Sequence, residues 1–223
     1  MYPLGLMWRE RLSYSPFVES VWKCNAPVTT SRTVIADPSI SISLVESGGK
    51  AQVIISGPVT KPYRVPLPAG YVRTTIRLKP AVFLKGFSTY ELRGNPLIFP
   101  ADSQARFWFK GICFQFPGFN QAELLINDLF KWDCLSRADL RRDGRASSDR
   151  TYSRHVQSIT GLSPYQLYQL QRMHTALRLL RQGVPPADVA IELGFADQSH
   201  LTRASKQFLG YTPNQSTDLP QDP

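Results

Sequence analysis

The stretch that decides the fold of the C-terminal part of the chain is residues 186–213, PADVAIELGFADQSHLTRASKQFLGYTP. Proline at its start presets a helical φ angle, and Gly194 can adopt the left-handed conformation that ends a short first helix. Asp197 can accept from a free backbone N–H and cap a second helix, which Gly210 closes. The stretch therefore predicts two short helices joined by a tight turn, the pattern of a helix-turn-helix unit.

The second of these helices has an apolar and a polar face. Leu201, Phe208 and Leu209 are predicted to point inward. The outward side chains are Gln198, Ser199, Thr202, Arg203 and Lys206. Gln and Arg have the bidentate geometry that suits adenine and guanine edges in the DNA major groove. A plain helical hairpin with a polar face would show the same spacing and stays the alternative on this evidence.

Helical patterns also precede this stretch. Residues 164–182 predict a long helix that begins at Pro164 and is ended by Gly183. His174 lies on the apolar stripe of this helix, where a satisfied core or boundary position is the expected role. Residues 121–132 form another amphipathic pattern, so the chain is predicted to be all-α from residue 119.

The first 118 residues show β patterns instead. In residues 39–45, SISISLV, isoleucine and leucine alternate with serine, which predicts a half-buried strand. Gly48-Gly49 predicts a hairpin turn after it. Further strands are predicted at 52–56, 72–79 and 106–116, and short helices at 16–23 and 81–87.

The chain is basic, with 26 Lys and Arg against 17 Asp and Glu and a net charge of +9. This charge suits a polyanionic partner, although many basic proteins bind none. Six arginines fall within residues 137–154: Arg137, Arg141, Arg142, Arg145, Arg150 and Arg154. A solvated helix face explains such a run equally well.

Composition argues against catalysis and against metal or membrane binding. The three cysteines (Cys24, Cys113, Cys134) form no C-x-x-C pair, and all three histidines follow residue 150, so no zinc or cupin-type metal site is indicated. No nucleophile motif is present. We therefore expect no enzyme activity, catalytic residue, metal or cofactor, and the sequence points to no cofactor-binding residue. No apolar run approaches the ~20 residues of a membrane span, and the N-terminus lacks signal-peptide order, so a cytoplasmic protein without a membrane partner is expected.

Residues 194–213, GFADQSHLTRASKQFLGYTP, resemble the second helix-turn-helix of the AraC/XylS family of bacterial transcription regulators. They match its G-F, its polar pair followed by Ser, its Arg and its G-x-T-P. Residues 148–154 and 160–164 are similar to the first recognition helix of that family and its exit, and residues 164–182 resemble its linker helix. More weakly, Trp8-Arg-Glu, residues 18–22 and residues 77–92 look like the β-rich sensory domains that precede some of these units.

The resemblance implies two recognition helices that read successive major-groove segments. The matching base-reading positions are Arg150, Ser153 and Arg154 in the first helix and Gln198, Ser199, His200 and Arg203 in the second. Thr151, Thr202 and Lys206 match phosphate contacts, which position a protein without specifying sequence. The implied partners are double-stranded DNA, RNA polymerase and a small-molecule effector, with either a monomer or a homodimer as the assembly.

The expected fold is therefore α+β. A barrel- or sandwich-like β-rich domain (1–118), serving effector binding or dimerisation, precedes an all-α domain (119–215) with two helix-turn-helix units and a flexible tail (216–223). The expected function is that of a sequence-specific DNA-binding transcription regulator controlled by a ligand or partner at the N-terminal domain. The alternatives are a constitutive DNA-binding protein whose N-terminal domain only mediates dimerisation or protein contacts, and a non-specific basic scaffold.

Two positions depart from the family pattern. Ser205 stands where an aromatic residue is usual, at a position that points inward by spacing, so Ser205→Phe is predicted to raise thermal stability through apolar burial. Residues 137–145 are rich in arginine, and Ala146 stands where a turn glycine is expected, so the first unit is predicted to be irregular or to rely more on phosphate contacts.

Overall fold

The computed structural model describes residues 6–140 and 149–216, and these form an α+β fold in which the strands precede most of the helices. The strands are β1 (Met7–Leu12), β2 (Val18–Ala26), β3 (Thr30–Val34), β4 (Ser41–Ser47), β5 (Lys50–Ser56), β6 (Tyr63–Leu67), β7 (Tyr71–Leu78), β8 (Val82–Leu84), β9 (Leu97–Ala101), β10 (Arg106–Phe109), β11 (Ile112–Gln115) and β12 (Leu135–Arg137). The helices are α1 (Glu123–Lys131), α2 (Asp149–Thr160), α3 (Pro164–Arg181), α4 (Pro186–Glu192), α5 (Gln198–Leu209) and α6 (Pro213–Ser216), with a 3-10 turn at Phe119–Gln121. The predictions for Arg141, Arg142, Arg145, Ala146 and the tail from residue 217 lie outside the described residues.

The centre of the N-terminal region is a six-stranded antiparallel sheet in the order β1-β2-β7-β4-β5-β9. Its apolar face is built by register, because Ile76 lies opposite both Val21 and Ile42, and Ile42 lies opposite Ile55 on its other side. The aromatic hairpin β10–β11 and the helix α1 cover this face. The core of the region is therefore a sheet face that is closed by one hairpin and one helix.

The serine side of β4 is buried as well, so the predicted half-buried strand is covered on both faces. Ser43 is fully buried, and its hydroxyl lies 2.8 Å from that of Thr75 on β7. Ser39, just before β4, is also buried. The sheet thus has one apolar face inside the core and one polar face that other elements enclose.

The predicted helix at residues 16–23 is wrong, since residues 18–23 belong to strand β2. The pairing of β2 with β7 shifts register between Val18 and Ser20. Such an irregularity adds a residue to one strand, and it brings Val18 and Val21 into the same core three positions apart. That spacing imitates the period of a helix.

Two more local predictions need correction. The segment 81–87 holds no helix, because β8 pairs there with β12. Residues 106–116 form two strands rather than one, since Lys110 and Gly111 both have positive φ, 49° and 77°. Two successive residues of this kind form the tight hairpin turn that matches strand twist.

Helix α1 confirms the amphipathic pattern at residues 121–132, but it does not join the later helices. Its buried residues Leu125, Ile126 and Leu129 lie in the core of the sheet, and β12 also pairs within the N-terminal region. The β-rich region therefore extends over residues 7–137, past the expected end at residue 118.

Helix α3 confirms the predicted linker helix. Ser163 accepts from the backbone N–H of Gln166, and the Gln166 side chain accepts in return from the backbone N–H of Ser163, which is a complete capping box. Gly183 follows the helix with a φ of 84°. The buried side chains of α3 belong to two small apolar clusters. One cluster is shared with α2, and the other is shared with α4 and α5.

Candidate nucleic-acid interface

The turn between α4 and α5 has the geometry that the sequence predicts. Gly194 has a φ of 70°, and the backbone N–H of Phe195 donates to the carbonyl of Ala190 at 2.8 Å. The ring of Phe195 is buried, and the Arg172 guanidinium of α3 lies 3.5 Å from its centroid. A cation over an aromatic face is favourable, so Arg172 fastens this turn onto α3. The sequence marks the stripe of α3 but contains no signal for this stacking.

Helix α5 begins and ends at the predicted residues. The side chain of Asp197 accepts from the backbone N–H of His200 at 2.6 Å, and Gly210 closes the helix in the left-handed conformation with a φ of 82°. Leu201 and Leu209 are fully buried. The inward face of α5 is thus held at both ends and along its length.

Four predicted contact residues of α5 are exposed: Gln198, Ser199, Arg203 and Lys206. Within the part of the chain that the structure describes, Arg203 and Lys206 form no ion pair. The polar face of α5 is therefore open to a partner.

His200 and Thr202 are less available than the sequence predicts. Nδ1 of His200 accepts from the backbone N–H of Ala196 at 3.3 Å, and its ring meets Phe195 edge-on at 5.3 Å. The hydroxyl of Thr202 donates to the carbonyl of Gln198 at 2.9 Å. Both side chains are half-buried. They support the turn and the helix. A phosphate contact in which the Thr202 hydroxyl donates would require its bond to change, whereas the bond of His200 uses Nδ1 and leaves Nε2 for a base edge.

Ser205 points inward, as predicted, and is fully buried. The predicted gain from Ser205→Phe does not follow, because the hydroxyl of Ser205 donates to the carbonyl of Tyr211 at 2.6 Å. This bond ties α5 to the segment that leads into α6. The position carries a hydrogen bond rather than a missing apolar contact.

Helix α2 carries the first set of predicted contacts. Arg150, Thr151 and Arg154 are exposed, Ser153 is half-buried, and Val156 anchors the helix in the apolar cluster with α3. Arg150 and Arg154 are four residues apart and share one face. The structure therefore brings the predicted residues together in two groups, one on α2 and one on α5.

A short segment of the β-rich region, here called the bridging segment (residues 35–37), contacts both groups of helices. Ile35 packs against the cluster of α4 and α5, whereas the buried Ala36 lies in the cluster of α2 and α3. The backbone N–H of Ala36 donates to the carbonyl of Phe208 at 2.8 Å. No sequence pattern marks this segment.

The bridging segment is also bound to α3 through the side chain of His174. Nε2 of His174 lies 2.8 Å from the carbonyl of Ala36, and Nδ1 lies 3.2 Å from the Arg77 guanidinium. A carbonyl only accepts and a guanidinium only donates, so His174 is neutral with its proton on Nε2. The expected role of His174 as a satisfied boundary residue is confirmed.

The electrostatics agree with this assignment. Burial lowers the pKa of His174 below its ordinary value, and Asp37 offsets that effect only in part. For Asp37, burial acts to raise the pKa, but the charge of Arg77, 3.1 Å away, and contacts with His174 and Ser39 outweigh it. The pKa of Asp37 thus lies below its ordinary value, and a partly buried ion pair lies beside a neutral histidine.

Among residues 6–140 and 149–216, no group of three His, Cys, Asp or Glu side chains is placed to hold a metal ion. None of the described helices has the length and apolar character needed to cross a bilayer.

Comparison with known proteins gives one family match. Residues 146–217, which include α2 to α6, match the model of a family described as "Helix-turn-helix domain". Among solved structures, ToxT from Vibrio cholerae is similar at 10% identity over 96% of this chain and 97% of that chain, with a TM-score of 0.43. An apo variant of ToxT from Vibrio cholerae strain SCE256 gives 11% identity, 99% of each chain and a TM-score of 0.42. No curated protein matches the chain.

Proposed function

Residues 146–217 form an AraC-type helix-turn-helix domain, and from this premise we propose that the protein is a sequence-specific DNA-binding transcription regulator. Two helices with exposed polar faces, α2 and α5, support the proposal. They lie on either side of α3, which has 18 residues and so a length of about 27 Å. That length is of the order of one turn of B-DNA, about 34 Å. One chain can thus read two successive major-groove segments.

The base-reading residues that we propose are Arg150, Ser153 and Arg154 on α2 and Gln198, Ser199 and Arg203 on α5. The exposure of all of these except the half-buried Ser153 supports this role. Thr151 and Lys206 are proposed to contact phosphates. His200 is proposed to position the turn, because its ring already contacts Phe195.

Selection of bound DNA from a random pool tests the proposal. We expect an enriched sequence with two segments about ten base pairs apart. Arg150→Ala and Arg203→Ala should each relax one segment, because a bidentate arginine–guanine contact contributes about 1–3 kcal/mol of discrimination. Lys131→Ala removes the same charge from an exposed site on α1 and should leave the selected sequence unchanged. The base-reading assignment is wrong if neither arginine substitution alters the selected sequence.

A non-specific basic scaffold makes a different prediction for the same chain. It would bind scrambled DNA as tightly as the selected site at physiological salt, because only phosphate contacts would contribute. Lys206→Ala separates the two kinds of contact, since it should weaken binding to all sequences alike and reduce the salt dependence. A specificity ratio near one would refute sequence-specific recognition.

We further propose that the β-rich region controls DNA binding. The contacts of the bridging segment with both helical clusters support this, as does the ion pair of Asp37 with Arg77. Asp37→Asn keeps the shape of the side chain but removes the charge that holds Arg77. We expect this change to alter affinity for the selected DNA severalfold while the fold is retained.

Asp102→Asn is the matched control for that experiment. Asp102 pairs with Arg106 beside the β10–β11 hairpin, where both side chains are exposed. Asp102→Asn removes the same charge as Asp37→Asn, but at a site away from the bridging segment. Equal DNA affinities for the two variants and the unchanged protein would favour the alternative, constitutive binding in which the β-rich region mediates only dimerisation or protein contacts.

A further inference from the structure

A cleft of about 1040 Å³ lies between the polar face of the six-stranded sheet and helix α3. Its lining includes side chains of β1, β2 and β7, of the paired strands β3 and β6, and of α3. Its volume is at the upper end of the range for small-molecule sites, about 300–1,000 Å³. The cleft is large enough for a small organic ligand.

Positive charge dominates the lining of this cleft. Its basic residues are Arg32, Arg64, Arg73, Arg77, Arg178 and Arg181, and its acidic residues are Glu10, Glu19 and Asp37. This is an excess of three positive charges, with His174 neutral. A cleft that is lined by one sign of charge attracts ligands of the opposite sign.

Arg73 stands out among these arginines. Its Nε lies 3.2 Å from the hydroxyl of Thr75, and one terminal nitrogen donates to the hydroxyl of Ser43 at 2.9 Å. Among the described residues no carboxylate pairs with it, whereas Arg77 has Asp37 and Glu19. A half-buried charge without a counter-ion is unfavourable, and two neutral hydroxyls fix its orientation without neutralising it. A bound acidic group would supply the missing partner.

A flat apolar surface lies beside this guanidinium. The rings of Trp8 and Trp22 stack with their centroids 4.5 Å apart, and Arg73 lies 5.6 Å from the centroid of the Trp22 ring. Arg32 lies over the same ring at 4.7 Å, which holds Trp22 in place. Both tryptophans line the cleft and are only partly buried. The apolar part of a ligand in the cleft can therefore contact the exposed parts of these two rings.

We propose that this cleft binds a small organic anion, with its acidic group on Arg73 and an apolar body in contact with the exposed parts of Trp8 and Trp22. The acidic group is a carboxylate, sulfonate or phosphate ester, since a guanidinium binds each of them through paired hydrogen bonds. The inference rests on the proposed function in one respect: Asp37 and His174 also line the cleft, so an occupant is placed to act on the bridging segment.

The test uses anilinonaphthalene sulfonate, a fluorescent aromatic anion, with the whole chain. We expect saturable binding that weakens about tenfold or more in Arg73→Gln, because a charge-assisted hydrogen bond is lost. Arg73→Lys should retain part of the affinity. Lys131→Gln removes a positive charge outside the cleft and should bind the probe as the unchanged protein does. The uncharged analogue N-phenylnaphthylamine should show no dependence on residue 73.

Circular dichroism establishes that each variant is folded, and Arg73→Lys keeps the test decisive if Arg73→Gln fails to fold. Equal probe affinity for the unchanged protein and a folded Arg73→Gln variant overturns the proposal, as does equal weakening in Lys131→Gln. DNA selection is measured separately, without the probe. Probe binding that depends on Arg73 in a protein that selects no DNA sequence supports the anion site and refutes the proposed regulator. Selection of a DNA sequence by a protein whose probe binding does not depend on Arg73 supports the proposed regulator and refutes the anion site.

Discussion

Replacing Gly161 by alanine tests how much the contact between the helical domain and the β-rich region contributes to the free energy of unfolding. Gly161 ends α2 with a φ of 68°, and a Cβ added there would lie 3.0 Å from the backbone nitrogen of Tyr90 and 3.1 Å from the carbonyl carbon of Thr89. Both atoms belong to backbone of the β-rich region, which cannot rotate away as a long side chain can. The carbonyl of Gly161 also accepts from Arg93 at 3.3 Å. The substitution therefore strains the local backbone and pushes the two regions apart.

The expected loss in the free energy of unfolding has two parts. A left-handed conformation costs a non-glycine residue about 1–2 kcal/mol, and forcing a methyl group into a filled contact costs typically about 1–3 kcal/mol more. Gly183→Ala is the matched control, because Gly183 has a φ of 84° and nothing within 4 Å of its Cβ position. We expect Gly183→Ala to lower the free energy of unfolding by about 1–2 kcal/mol and Gly161→Ala by about 2–5 kcal/mol.

Urea unfolding of the two variants gives the comparison, with the slope of the transition checked for each. The difference between them isolates the contact between regions, because the backbone strain is common to both. Equal losses in the two variants would refute the idea that residues 89–90 and Gly161 form a rigid contact. A smaller loss in Gly161→Ala would do so more strongly.

Three other predictions concern single side chains. Ser205→Ala should lower the free energy of unfolding by about 1 kcal/mol through the lost bond to Tyr211, and Ser205→Phe should lower the melting temperature further, since the site is full; a stabilised Ser205→Phe variant contradicts the packing described. The pKa of His174 is lowered on folding, so the unfolded chain binds more protons than the folded protein below pH about 6.5. The contribution of neutral His174 to the free energy of unfolding is therefore complete above that pH and is lost as the pH falls toward the folded pKa. Urea midpoints measured from pH 7 to 5 should drop less in His174→Gln than in the unchanged protein. Hydrogen bonds from Arg11 and Ser13 outweigh burial and lower the pKa of Glu123 to about 2. The stabilisation from this contact between β1 and α1 is therefore complete above pH about 4.5, and the free energy of unfolding falls by about 2 kcal/mol as the pH drops toward 2. Acid titration of Glu123→Gln should lack this loss of stability.

The helix-turn-helix could be predicted from sequence because its determinants are local. Gly194, Asp197 and Gly210 each act on backbone within four residues of their own position, and all three behave as the pattern predicts. The hairpin at Gly48-Gly49 is local in the same sense. A short window of sequence therefore contains the information that these elements need.

The wrong predictions concern elements whose determinants are distant in the sequence. The irregular pairing of β2 with β7 changes which residues of β2 face the core, and it joins segments about fifty residues apart. Helix α1 was recognised as a helix, yet its partner is the sheet, and its own periodicity contains no sign of which apolar surface will cover it. Periodicity predicts the type of an element more securely than its partner.

The outward face of α5 could be predicted in part. Gln198, Ser199 and Arg203 are exposed where helical spacing puts them, but His200 and Thr202 form bonds within their own unit. Spacing gives the direction in which a side chain leaves a helix. It does not give the competing hydrogen-bond partner, which for His200 is the backbone N–H of Ala196 and depends on the path of the turn around Phe195.

The bridging segment marks the limit of sequence reasoning, because its hydrogen bonds to the helices use its backbone groups, and side chains contribute only the packing of Ile35 and Ala36. The backbone N–H of Ala36 donates to Phe208, and its carbonyl faces His174, 138 positions along the chain. An alanine at this position offers no charge, periodicity or motif that would single it out. Its small size is what lets the segment enter between the two helical clusters, and the charged pair beside it, Asp37 with Arg77, fixes it there. If the β-rich region controls DNA binding, its effect can reach both helical clusters through this segment, and Asp37→Asn perturbs the segment without altering either recognition helix.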